Sequence, residues 1–484
     1  MVFSDLFFLF VFLPLFILLY QVAGWIDRKI SSDRIRPTFM CRNAILVVFS
    51  LLFYAWGEPV YVLLMLGSVF INYWIGRWMM AVRRRRVRKI ALITGLMSNI
   101  AVIGVFKYAG FIAETLNSFG LDIPVPSIAL PIGISFYTFQ SISYLVDVYR
   151  YTSRGQRRYS DLLLYISMFP QLIAGPIVSY ETVAREIKDR RVNAADVSEG
   201  VFRFLLGLGK KVIIANQFSD IANEFLAGSA LDNLSTSGAW VGIVAFTFQI
   251  YFDFSGYSDM AIGIGRCLGF HFNENFDHPY CSRTITEFWR RWHMSLGSFF
   301  RDYVYIPLGG NRRHQVLNIM IVWFLTGMWH GASWNFIIWG VYFGIILMIE
   351  KRLVMPYVKH IPSPVLHIYA MILVVCGWGI FYFDDTSRMV IFFKSLLGFA
   401  EEGWTFAAEN AIRSHFWLWV VAILFSMPVR TVMARMPHKV FRAQGSVALT
   451  TVTLTRIVVS TVMLIVSVAL LIGATNNAFL YTRF

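Results

Sequence analysis

Two histidines stand apart from the rest of this 484-residue chain. His330 lies within residues 319–349, an unusually long apolar stretch with Gly327 and Gly331 close by. An unpaired polar group in hydrocarbon costs several kcal/mol, so an ionisable side chain at that depth is read as functional by default. A neutral, buried imidazole is suited to general-base chemistry, because its pKa lies near working pH. The plainer alternative is a ring hydrogen-bonded between helices. His293 closes the run Trp289-Arg290-Arg291-Trp292-His293 and is the second candidate. The two are too far apart to form a local pair of the H-E-x-x-H kind, and no metal site is read from them. They can still converge across a fold. The alternative for His293 is an interfacial ring with its polar tip in water. His314, His360, His415 and His438 fall in loops or near basic clusters and read as solvated.

Asp253 and Asp259 place two carboxylates in an otherwise apolar span, Tyr251-Phe252-Asp253-Phe254-Ser255-Gly256-Tyr257-Ser258-Asp259. Intramembrane acids serve proton-coupled transport or orient a polar site, and periodicity does not separate the two. No G-x-S-x-G elbow, P-loop or dinucleotide fingerprint occurs, which disfavours ATP-driven transport and hydride chemistry. The four cysteines are scattered without C-x-x-C spacing, so neither a disulfide framework nor a zinc knuckle is suggested.

The elements that position these residues belong in a bilayer. With 57% hydrophobic and 15% charged residues, the composition lies far from that of a soluble domain. Crossing ~30 Å of hydrocarbon takes roughly 20 apolar residues per helix, and about eleven to thirteen apolar runs of that order recur, some short or polar. They do not alternate as barrel strands do, so the class is an all-α polytopic membrane protein. The net charge of +15 sits in short clusters between apolar runs, which fits positive-inside retention and not nucleic-acid binding. Cytoplasmic loops around Arg84 and Arg435 then put both chain ends outside. The apolar stretch 6–19, without a basic leader, reads as a retained anchor. Prolines and glycines interrupt apolar sequence at Pro131-Ile132-Gly133 and at Phe169-Pro170-Gln171-Leu172-Ile173-Ala174-Gly175-Pro176, as in broken helices that line a cavity. Residues 159–177, flanked by basic residues on both sides, read as a re-entrant segment. Thr284-Ile285-Thr286-Glu287 fits a capping box opening an amphipathic interfacial helix through Phe299.

Together these segments resemble the membrane-bound O-acyltransferase superfamily, in its branch of bacterial alginate and peptidoglycan O-acetyltransferases. The resemblance rests on Phe106-Lys107-Tyr108, Leu130-Pro131-Ile132-Gly133-Ile134-Ser135-Phe136-Tyr137, Ile173-Ala174-Gly175-Pro176, Tyr251 to Gly263, Ile285 to Asn311 and Trp329-His330-Gly331-Ala332. It implies a bundle around a central funnel, His330 as the essential histidine and His293 as a second one in the same funnel. It also implies acetyl-CoA as donor, no metal, a bacterial inner membrane, membrane lipid around the bundle, a polysaccharide acceptor and a periplasmic SGNH-hydrolase-like acetyltransferase as partner. One departure concerns the acceptor. Alginate acetyltransferases commonly carry a histidine in a W-G-x-W-H-G run, where this chain reads Trp339-Gly340-Val341-Tyr342-Phe343-Gly344. Phe343 accepts neither a proton nor a hydrogen bond, so alginate, peptidoglycan and cellulose stay open.

The ending Phe479-Leu480-Tyr481-Thr482-Arg483-Phe484 resembles the motif of the short partner peptide of the D-alanyl-transferring members of the superfamily. The Tyr481 hydroxyl is thereby a candidate acyl relay, because a phenol with pKa near ~10 is both deprotonatable and a competent leaving group. The alternative is an interfacial aromatic anchor. Without a linker or repeat, residues 1–484 read as a single membrane domain, with a core at roughly 100–350 and the last spans and periplasmic tail in 366–484. The rival function is a transporter or flippase of a lipid-linked or acylated substrate, with Asp253 and Asp259 in its pathway.

Overall fold

The computed structural model describes residues 1–31, 39–428, 446–474 and 479–480. Apolar runs without alternation give helices, and the first four are α1 (Phe8–Ser31), α2 (Met40–Gly57), α3 (Tyr61–Ala81) and α4 (Arg85–Ser118). Next come α5 (Ile134–Arg150), α6 (Thr236–Cys267) and two short helices, α7 (Ile285–Arg291) and α8 (Met294–Phe300). The last set is α9 (Gln315–His330), α10 (Trp334–Ile349), α11 (Ser363–Tyr382) and α12 (Ser446–Ile472). No strand occurs among the described residues. Among the described residues, six helices are long and apolar enough to cross a membrane: α1 to α4, α11 and the Leu454–Ile472 part of α12. Several of the remaining apolar runs fold as shorter helices; α9 and α10 have 16 residues each and Phe416–Ser426 has 11.

The loops gather at two ends. At one, Asn43 donates to the carbonyl of Ile187 (2.9 Å), Arg150 donates to that of Asp302 (3.1 Å), and Arg456 pairs with Glu199 (3.1 Å). This end carries Arg84, Arg150, Arg185, Arg290, Arg301 and Arg313 and is called the basic face. Arg88 shows what one of its arginines does: it donates to the last carbonyls of α3 and α5 at Met79 and Val148 (2.8 and 3.0 Å), satisfying helix ends that lack a partner of their own. At the other end Glu58 accepts from the Ile132 amide (3.1 Å), Arg388 donates to the Gly228 carbonyl (2.6 Å) and the Thr236 amide donates to the Glu402 carbonyl (3.0 Å). Glu58, Asp122, Asp232, Asp384, Glu401 and Glu402 make this the acidic face.

The interior is packed by rings. Phe3, Phe8, Phe12, Phe16, Phe53 and Phe169 stack edge and face at 5.0 to 6.3 Å between centroids, a geometry that adds about 0.5–1.5 kcal/mol per pair beyond area burial. This cluster grips the segment read as re-entrant. There Tyr159–Ser167 is a helix of nine residues, and Phe169–Leu172 one of four. At ~1.5 Å per residue neither reaches across the hydrocarbon.

Candidate functional site

His330 is the last residue of α9, and the next residue, Gly331, has extended backbone (φ −167°, ψ 162°). The single apolar stretch of the sequence is therefore broken at the histidine, and α10 returns beside α9. Gly327 and Gly340 let the two approach: a Cβ on either would lie 2.3 Å from the opposite carbonyl, of Phe336 or of Trp323. A residue that ends a helix presents its side chain at the turn, so the ring is buried, 5% exposed, yet sits where the chain reverses. It is walled by Trp329, Trp339 and Phe381, with centroids at 4.8, 4.9 and 5.3 Å.

The two proline–glycine segments meet at this ring. A small chamber is lined by Pro131, Gly133, Ser135, Ile173, Trp329 and His330. Gly133 makes it possible: its φ of +76° is left-handed, and a Cβ there would lie 3.0 Å from the Leu172 carbonyl. The chamber offers about 20 Å³, against the ~10–15 Å³ that one water requires. It holds a water or a single small group.

His293 lies between α7 and α8 in a left-handed conformation (φ 45°, ψ 52°). The amphipathic helix expected to run through Phe299 is thus interrupted at Trp292 and His293, and the break turns the imidazole inward, 2% exposed. The Thr284 half of the capping box forms, its hydroxyl accepting from the Glu287 amide (3.0 Å), while the Glu287 carboxylate accepts from the Arg283 amide (2.9 Å) and not from that of Thr284. The start of α7 is further pinned by Glu350, whose two carboxylate oxygens accept from the amides of Ile285 and Thr286 (2.6 and 2.7 Å); an anion at a helix N-terminus is favourable.

The His293 Nδ1–H donates to Asn275 Oδ1 (3.0 Å), which also accepts from the Ser295 hydroxyl (2.8 Å). Asn275 in turn donates to Ser258 (3.0 Å), and the Ile177 amide donates to Ser295 (3.0 Å). This network orients the ring and makes Nε2 the lone-pair nitrogen. Such a tautomer suits an orienting acceptor or second base better than an oxyanion donor. The two histidines meet through one indole: the Trp329 centroid is 5.6 Å from His293 and 4.8 Å from His330.

Two larger cavities flank the pair. On the basic face, a cavity of about 260 Å³ is lined by His293, Trp289, Trp292, Trp323, Arg290 and Arg301. On the acidic face, one of about 490 Å³ is lined by Lys107, Gly331, Asn335, Gln249, Arg388 and Leu480.

Lys107 is a member of this site that charge and motif reading left unassigned. It is buried on α4 and donates to the carbonyl of Trp329, the residue before His330, and to Ser135 (3.3 Å). Tyr108 likewise donates to the carbonyl of Met328. The signal was a lysine inside an apolar run, which marks an intramembrane ionisable group in the same way as His330. Asp253 and Asp259 are both ion-paired: Asp253 with Lys211 (2.6 Å), Asp259 with Arg203 (2.9 Å) and Lys210 (2.7 Å). Phe343 is fully buried against Trp289, Trp339 and Trp323, part of an aromatic wall. Tyr481 lies outside the described residues; its neighbour Leu480 lines the acidic-face cavity.

The sequence profile of the MBOAT, membrane-bound O-acyltransferase, family matches residues 60–383. The chain is similar to a probable alginate O-acetylase of Pseudomonas aeruginosa, 41% identical over 82% of this chain and 75% of the relative. It is similar to the peptidoglycan O-acetyltransferase of Helicobacter pylori at 35% identity over 70% of this chain and 69% of the relative. A teichoic acid D-alanyltransferase of Bacillus subtilis is 30% identical over 45% of this chain and 58% of the relative.

Proposed function

This chain belongs to the membrane-bound O-acyltransferase family, and we propose that it carries acetyl groups from acetyl-CoA in the cytoplasm to a polysaccharide outside it. It is a multi-pass membrane O-acyltransferase; the donor, the direction and the residue roles are our reading. The observation that carries it is the place of His330, buried at a helix break with cavities of different chemistry on either side.

The basic face is cytoplasmic by the positive-inside rule, so the bacterial inner membrane is the location and the basic-face cavity admits the donor. Arg290 and Arg301 suit the phosphates of CoA, and the tryptophans its flat and apolar parts. At the chamber, His330 takes the proton of an attacking hydroxyl. The oxygen bonds to the thioester carbonyl carbon as the C–S bond breaks, and the proton passes to the departing sulfur, giving an acetyl ester and free CoA thiol. His293, oriented by Asn275, lines the donor path. The attacking hydroxyl is that of Tyr481, which becomes a phenolic acetate. An SGNH-hydrolase-like partner on the outer side then moves the acetyl to a sugar hydroxyl, and the phenol regains its proton. The acceptor is a polymer of the kind named for the relatives, alginate or peptidoglycan, or else cellulose. Residues 1–484 act as one membrane unit, with the core at roughly 100–350 and the final spans and tail in 366–484.

Thioester turnover by the purified protein tests this. Release of CoA thiol from acetyl-CoA that is lost in His330→Ala supports the reading; no binding or turnover of acetyl-CoA by the wild type defeats it.

A further inference from the structure

A buried ion pair in the core has no role in the chemistry so far. Lys211 and Asp253 are 3% and 2% exposed and pair at 2.6 Å, midway along α6. Retaining two charges in a dry interior is unfavourable unless further hydrogen bonds satisfy them. Here the extra partners come from the far end of the chain. The backbone amide of Leu480 donates to Asp253 Oδ2 (2.8 Å). Lys211 Nζ stands 4.6 Å over the Phe479 ring, and Tyr257, one helical turn beyond Asp253, meets the same ring edge-on at 4.9 Å. Phe479 is 1% exposed. An anion for the backbone N–H, a cation for the ring face and an aromatic edge form one socket for two consecutive residues.

We propose that the Lys211–Asp253 pair is the receptor for this chain's own C-terminal segment, with both residues acting as positioning groups for the acyl relay. The pair recognises the backbone and the ring of Phe479-Leu480. Residue 481 follows at one Cα step, ~3.8 Å, from a residue that already lines the cavity beside Lys107 and Gly331. The socket therefore sets how far the tail enters the cavity beside Lys107 and Gly331. Two acids that suggested a transport pathway take on a different meaning: Asp253 is a backbone acceptor for the tail, while Asp259 is held by Arg203 and Lys210. The purpose of the socket rests on the relay reading; the docking itself does not.

The test is hydrogen–deuterium exchange of the C-terminal peptide in the full-length, detergent-purified protein, together with acetyl transfer. Replacing both charges at once, Lys211→Met with Asp253→Leu, leaves no unpaired ion in the core. Leu480→Pro leaves the charged pair in place and deletes the donated N–H, along with the Leu480 side chain's packing on the core. A hydrogen bond to a charged group is worth about tenfold or more in the docked-to-released ratio. Both variants should exchange the remaining tail amides at least about tenfold faster and lose transfer in proportion. Unchanged tail protection in a folded double variant overturns the proposal. If the double variant does not fold, unchanged protection in Leu480→Pro overturns it alone. Tyr481→Phe separates the two readings. A protected tail with lost transfer supports both, whereas a protected tail with normal transfer defeats the relay and leaves the docking socket standing.

Discussion

The two cavities that flank His330 are built from different side chains. The basic-face cavity is walled by Trp289, Trp292 and Trp323 with guanidinium groups from Arg290 and Arg301. The acidic-face cavity, nearly twice as large, is lined by hydroxyl and carboxamide groups of Ser219, Asn223, Gln249 and Asn335, with Arg388 and Asp384. Planar aromatic faces and forked cations suit a nucleotide-like, phosphate-bearing donor. Neutral donors and acceptors beside a few charges suit a polypeptide tail or another hydroxyl-bearing group. The chamber at His330 holds about one water and shares no lining residue with the basic-face cavity, so neither ligand fits whole at the histidine. Only the small group being transferred is shared, and a one-base site can serve two unlike ligands.

Removing the shared element should have the largest effect. His330→Ala is expected to lower acetyl transfer by at least ~10²–10⁴-fold, the range that a positioned base supplies, with expression and membrane insertion unchanged. Acetyl content of the polymer is the measurement, and content equal to wild type would end the catalytic role. Tyr481→Phe tests the proposed relay. It should abolish transfer to the polymer while leaving acetyl-CoA binding intact, and a C-terminal peptide 42 Da heavier in the wild type, the mass of an acetyl group by roughly that amount, would mark the relay.

Next in size is His293→Ala, expected to lower kcat by about 10²-fold, the low end of what a positioned base supplies. Full activity in that variant would remove the second histidine from the mechanism. Arg290→Gln with Arg301→Gln should act on the donor alone, raising KM for acetyl-CoA by about tenfold with kcat little changed, the signature of lost uniform binding. A change in kcat with KM untouched would break the assignment of the basic-face cavity to the donor. The smallest effect is topological and costs no activity. A cysteine introduced at Arg84 should be labelled only from the cytoplasmic side, and labelling from outside would exchange the roles of the two cavities.

The membrane class was legible from composition, and the burial of His330 from one ionisable residue in apolar sequence. The segments around Pro131 and Ile173 were legible as cavity-lining breaks, because proline and glycine in hydrocarbon need a protein surface to satisfy the backbone. Other parts depended on contacts that no local pattern reports. The interfacial helix divides at Trp292 and His293 because α7 is held at its start by Glu350 and His293 is held by Asn275, both from other elements. The stretch around His330 reads as one long run, yet folds as a hairpin because Gly327 and Gly340 can touch. Asp253 suggested a pathway until its partner, Lys211, and the tail amide came into view. Lys107 carried the same intramembrane signal as His330, but its motif gave no role.

The glycine contact between α9 and α10 also bears on how such an enzyme can change over generations. Where a Cβ at Gly327 or Gly340 would lie 2.3 Å from a carbonyl oxygen of the facing helix, the separation of the two helices is dictated by main chain, and overpacking there is penalised by about 1–3 kcal/mol. The imidazole at the end of α9 thus inherits its position from backbone that tolerates almost no substitution. Cavity-wall side chains on other elements, Arg388 and Gln249 among them, carry no such constraint. Mutation can remodel the acidic-face cavity, as at Arg388 or Gln249, while the reacting centre stays registered, so that a different tail or outer partner can be matched to an old chemistry one wall residue at a time.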